Sequence, residues 1–143
     1  SVDIIYEGRL RGNQLICSGV DLVAEEAQLL WSSEQIKGVS WLDLADNKLA
    51  DQGVKELTKC ESLINVQYLN LNNNQITDEG LKSLAMSPYL KNLKHLHLKD
   101  NLIEGEGIVA LFQSQTLDHL QKFQINDGWS CRKREGWRYK SRV

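Results

Sequence analysis

His95 and His97 stand two residues apart with Leu96 between them. On an extended strand both imidazoles would face one side, and imidazole is a common metal ligand. A third ligand would have to come from Asp43, Asn70, Lys99 or Gln124, and none completes a compact set. The better reading is a pair of exposed contact residues, with no metal and no cofactor. Catalytic signatures are wanting too. The chain holds no Gly-x-Ser-x-Gly elbow, no phosphate-cradling glycine loop and no His-Glu-x-x-His. Its carboxylates recur at regular positions, as helix-start or surface acids do, so no enzyme is expected. Cys17, Cys60 and Cys131 are odd in number and lack metal-ligand spacing. Cys17 reads as core, Cys60 as a helical residue and Cys131 as part of the tail, all three reduced. Reduced thiols favour an intracellular, cytoplasmic place of action, in the producing cell or, for a secreted effector, in a host.

A second chemistry lies at the end of the chain. Trp129, Trp137 and Tyr139 are interleaved with Arg132, Lys133, Arg134, Arg138, Lys140 and Arg142, against the single acid Glu135. That stretch holds six of the chain's 17 Lys and Arg but only one of its 19 Asp and Glu, so everything before it is acidic. The overall charge of −2 hides this polarity. Aromatic residues stack on bases and cations neutralise phosphates, which would suit nucleic acid or an anionic membrane. The favoured alternative is that Trp129 and Trp137 cover the end of the fold while the basic residues face water or pair with the acidic part.

These residues are positioned by a repeat. Asn47, Asn74 and Asn101 follow one another at a constant 27-residue step, which also connects Leu42, Leu69 and Leu96, then Leu44, Leu71 and Leu98, then Gly53, Gly80 and Gly107. Extending the register toward the N-terminus reaches Leu15, Cys17, Leu22, Leu30 and Ile36, a degenerate unit over residues 12–38; toward the C-terminus it reaches Leu120, Phe123 and Ile125. Alternating leucines place two apolar side chains on one face of a short strand, and successive strands stack in parallel. Each Asn can satisfy turn backbone, as its side chain both accepts and donates. Apolar spacing then lengthens to three or four at Val54 and Leu57, at Leu81, Leu84 and Ala85, and at Ile108, Leu111 and Phe112, which is helical. Asp51, Asp78, Glu79 and Glu106 open those helices at the positive end of the dipole. The glycines allow close backbone approach, and Pro88 closes the helix before it. At the N-terminus, Val2, Ile4 and Tyr6 alternate with polar residues before Arg11-Gly12-Asn13, so a hairpin covering the first unit is expected.

This framework resembles the leucine-rich repeat family, and the 27-residue unit with Gly six places after Asn is similar to its ribonuclease-inhibitor-like subclass. Val20 and Glu26 depart from the pattern and mark an end unit. The resemblance implies an α/β leucine-rich-repeat solenoid, a short right-handed horseshoe with parallel strands on the concave face and helices on the convex face. It implies one domain, with an N-terminal hairpin cap over residues 1–13, repeats over 14–127, and a basic aromatic cap or tail over 128–143. Since the family includes GTPase activators, Arg9 or Arg11 could serve a transferring phosphate, although both fit a hairpin turn equally well.

On such a face the residues between the buried leucines form columns: Trp41, Tyr68, His95 and Lys122; Asp43, Asn70, His97 and Gln124; then Ala45, Asn72, Lys99 and Asn126; then Asp46, Asn73, Asp100 and Asp127. Exposed aromatic residues are costly unless covered, and Trp and Tyr are enriched at binding hot spots. Trp41, Tyr68 and His95 are read as a ledge for a partner, with Asp43, Asn70 and His97 as its polar rim. The alternative is that Trp41 and Tyr68 simply pack on each other or beneath the terminal cap. Composition agrees with one core and no membrane helix: 143 residues, 41% hydrophobic and 25% charged. No charged-then-apolar leader precedes the first unit, although a chain opening on Ser1 makes that weak evidence. The expected function is a non-catalytic module that binds a peptide or small protein domain, with no small-molecule substrate. Polyanion contact through the tail and a GTPase-activator-like role are the other readings.

Overall fold

The computed structural model describes residues 6–126, and the backbone of 129–133 and 137–141. The apolar alternation builds one eight-stranded sheet in sequential order: β1 (Leu10–Arg11), β2 (Gln14–Ile16), β3 (Trp41–Asp43), β4 (Tyr68–Asn70), β5 (His95–Leu98), β6 (Lys122–Ile125), β7 (Trp129–Lys133) and β8 (Trp137–Ser141). Strands β2 to β6 run parallel; β1 pairs antiparallel with β2 at one edge, as β7 does with β6 and β8 with β7 at the other. Helices α1 (Ala24–Trp31), α2 (Ala50–Leu57), α3 (Asp78–Ala85) and α4 (Glu106–Phe112) alternate with the parallel strands. This is an α/β solenoid of stacked strand–helix units, and the register equals the sequence period: Leu15, Leu42, Leu69, Leu96 and Phe123 are consecutive partners, all at most 1% exposed.

Asparagines tie the stack together. The Asn47 amide donates to the Cys17, Leu44 and Ala45 carbonyls, while its oxygen accepts from Val20 and Leu22 N–H. Asn74 donates to the Leu44 and Asn72 carbonyls and accepts from Leu49 N–H; Asn101 accepts from Asn74 and Ile76 N–H. Each side chain therefore satisfies the preceding unit's turn as well as its own, which leaves buried backbone paired. In the adjoining turns Asp46, Asn73 and Asp100 share a left-handed backbone, with φ of 57°, 51° and 57°, which short polar side chains tolerate better than others.

Two further ladders run through the helical side. The Asp51 carboxylate accepts from Thr77 and Gly80 N–H, and Asp78 from Glu104, Gly105 and Gly107 N–H. These acids do occupy the first turns of their own helices, but their hydrogen bonds also cap the next helix along. Close approach explains Gly80 and Gly107. A Cβ on Gly80 would lie 2.6 Å from Asp51 Oδ1, and one on Gly107 2.6 Å from Leu81 Cβ. Cys60 corrects the sequence expectation, for it follows α2 rather than lying within a helix. Its thiol donates to the Trp31 carbonyl, the place taken one unit later by Ser87 (to Thr58 O) and then by Ser114 (to Ala85 O).

The N-terminal expectation holds for the turn and fails for the strand. The β1–β2 hairpin turns at Gly12-Asn13, with Gly12 at φ 60°, and its first strand is Leu10–Arg11 rather than one through Tyr6. Tyr6 has helical backbone, is buried, and donates its hydroxyl to the Leu30 carbonyl at 3.3 Å. Val2 and Ile4 lie outside the described residues. So do the side chains of Trp129, Cys131, Trp137 and Tyr139, and those of the tail's basic residues, although β7 does pair with β6.

Candidate functional site

The strand face opposite the leucines carries the residues singled out above. Parallel pairing puts Trp41 beside Tyr68, Tyr68 beside His95, and His95 beside Lys122. The second column runs Asp43, Asn70, His97 and Gln124 in the same way. Trp41 is 39% exposed; Tyr68, His95, Lys122, Asp43, Asn70, His97 and Lys99 are half-buried. Two members depart from the expected display. Gln124 is buried at 6% exposure, with its side chain hydrogen-bonded to His97. Ala45 is buried as well.

Trp41 and Tyr68 stack nearly parallel, ring centroids 3.6 Å apart and planes 10° from coplanar. They do pack on each other, and Trp41 nevertheless stays the more open of the two. The ledge then turns. Tyr68 meets His97, with centroids 4.9 Å apart and planes tilted 46°, so the ring contact crosses to the second column instead of following the first to His95. Diagonal neighbours on adjacent strands lie within reach of aromatic side chains, and strand twist brings one diagonal closer than the other. The second column has one more member: a single repeat step back from Asp43 reaches Ile16, the β2 partner of Asp43, which is 38% exposed.

Charge divides this face. Burial raises the pKa of the Tyr68 phenol, and the nearby Asp43 carboxylate raises it further against a hydrogen bond with Asn70. Burial lowers that of His97, and Lys122, His95 and Lys99 lower it further against the Gln124 hydrogen bond. The neutral form of His97 is therefore favoured, with Lys122 and Lys99 near it. Asp43 Oδ1 accepts from Ala45 N–H at 3.0 Å and Asn70 Oδ1 from Asn72 N–H at 3.0 Å, so both side chains are oriented by the strand exit below them. The Asn72 oxygen does the same for Lys99 N–H at 2.8 Å.

Among the described residues no group of three His, Cys, Asp or Glu comes together as a metal site, and no helix is long and apolar enough to cross a membrane. Among the described residues, one shallow groove of about 460 Å³ is lined by Lys37, Glu61, Ile64 and Tyr89 of the helix-to-strand connections, and another of about 310 Å³ lies between α1 and α2. Neither adjoins the aromatic ledge. Arg9 precedes β1 and Arg11 ends it, so both belong to the hairpin region. Three stretches, residues 42–57, 62–85 and 89–112, match the family model described as Leucine Rich repeat. No curated protein matches the chain.

Proposed function

We propose that this leucine-rich repeat protein is a non-catalytic interaction module whose strand face binds a peptide or small domain of another protein. Repeats of this kind are generally protein-interaction modules. The observation that carries the finer reading is the Trp41–Tyr68–His97 ring series on an open sheet face. Its rim is Asp43, Asn70, His95, Lys99 and Lys122, and Gln124 acts from behind as the residue that orients His97. Five parallel strands at about 4.8 Å spacing span about 20 Å, and a standard interface of about 800 Å² per partner would occupy most of that face.

The length of the repeat unit supports the ribonuclease-inhibitor-like subclass with a short horseshoe shape. Residues 1–13 and 128–143 would cap a repeat domain over 14–127, since a stack leaves strand edges that need covering. Cys17 and Cys60, as free thiols, favour an intracellular place of action.

The test is an affinity pull-down with the wild-type chain beside Trp41→Ala, Tyr68→Ala and His97→Ala, each checked for native circular dichroism. Partner recovery should fall at least tenfold for Trp41→Ala and Tyr68→Ala. Undiminished recovery by all three folded variants would discard the assignment to this face.

A further inference from the structure

The strand face changes character along the array. At its N-terminal end Ile16 and Trp41 are exposed apolar residues, at 38% and 39%, and Asp43 is the register partner of Ile16, while a cation of this edge, Arg11, is one strand beyond Gln14, the register partner of Trp41. Two strands further on, His95, His97 and Lys99 share β5 and the turn it enters, and Lys122 is the register partner of His95 on β6. Asp100, in that turn, is an opposing charge among the described residues. The aromatic stack joins the two ends, with its Trp at the acidic side and its His contact at the basic side. The response of the half-buried groups agrees: Asp43 disfavours ionisation of Tyr68, whereas Lys122, His95 and Lys99 disfavour protonation of His97. One ring series therefore runs from a carboxylate near Trp41 and Tyr68 to the lysines near His97.

We infer that the occupant of this face is an extended peptide segment that crosses the strands, with an Arg or Lys at one end and an Asp or Glu at the other. The cation lies over Trp41 beside Asp43, where an aromatic face and a carboxylate act together. The carboxylate lies against Lys99 and the His95–Lys122 pair. Two to three strand spacings of about 4.8 Å separate the ends, roughly 10–14 Å, or three to four residues of extended chain at about 3.3 Å each. Complementary charge also sets the direction in which the segment lies, because reversal would put like charges together at both ends. This inference rests on the proposed use of the strand face.

A display library of random 12-residue peptides selected against the immobilised full chain tests it. Enriched peptides should carry a basic and an acidic residue three to four positions apart, and should lose at least tenfold in affinity to folded Trp41→Ala, Asp43→Lys and Lys99→Glu variants. Selection against Asp43→Lys should drop the basic preference alone, and selection against Lys99→Glu the acidic one alone. Peptides that need Trp41 but ignore both charge reversals would overturn the charge pattern while keeping the face. Peptides indifferent to Trp41→Ala, or no enrichment, would overturn both.

Discussion

At the scale of single residues, the asparagine ladder concentrates the most structure in the fewest atoms. Asn74 is fully buried, and truncation to Ala would remove two donated bonds and one accepted bond from backbone that is buried at Leu44 and Leu49 and partly buried at Asn72. Each buried group left unpaired costs on the order of 1–3 kcal/mol, so Asn74→Ala should lower the unfolding free energy by about 3 kcal/mol in urea titration. A loss below about 1 kcal/mol would mean that other groups take over those bonds. The ladder was legible in the sequence because its demand recurs at Asn47, Asn74 and Asn101, in three successive units. The Tyr68–His97 contact was not, since period alone pairs Tyr68 with His95. Strand twist chooses the diagonal, and twist leaves no mark in residue spacing. The burial of Gln124 escaped for a similar reason: its column predicts a direction, while its cover depends on everything packed around β6.

At the scale of elements, helix starts are shared property. Helix α4 follows Gly105, which has no side chain to offer, and Asp78 of the preceding unit accepts its free N–H groups instead. Burial opposes ionisation of Asp78, yet the N–H groups of Gly107, Gly105 and Glu104, aided by Lys82, outweigh it and hold the carboxyl below its usual 3.8. Loss of such a cap typically costs about 1–2 kcal/mol, so Asp78→Ala should lower stability by that amount at pH 7. The folded pKa is depressed, so the contribution is complete above the unfolded value near 3.8 and is lost as pH falls through the lower folded value. Unfolding free energies at pH 6 and pH 2.5 should therefore differ less in Asp78→Ala than in wild type. Acidic helix starts were visible in the sequence. That they reach across to the next unit was not, because a carboxylate favours any helix N-terminus nearby and only packing decides which one it meets.

For the whole molecule, the stack ends in groups that resist ionisation. Burial pushes the Cys17 thiol up to about 11 and the Tyr6 hydroxyl up to about 12. Both lie at the N-terminal end of one continuous hydrophobic cluster. The unfolded thiol ionises near 9 while the folded thiol keeps its proton, so this stabilisation is complete below pH 9 and is lost as pH rises through about 11. The urea midpoint should fall between pH 8.5 and pH 10.5, and the fall should be shallower in Cys17→Val, which keeps the site apolar without a titrating group. An identical decline in that variant would exclude Cys17 as the source. In an array whose units touch only their neighbours, such a loss begins locally and spreads by loss of the adjacent interface.

The residue series by itself determined the repeat length, the alternation of strand and helix, the strand register and the membership of each column, because all of these follow from one period imposed on apolar and asparagine positions. Tertiary structure alone decided which rings touch, which column members are withdrawn from the surface, and which helix each aspartate caps. Those outcomes depend on twist, on close approach between units and on the shape of neighbouring side chains, and a period records none of them.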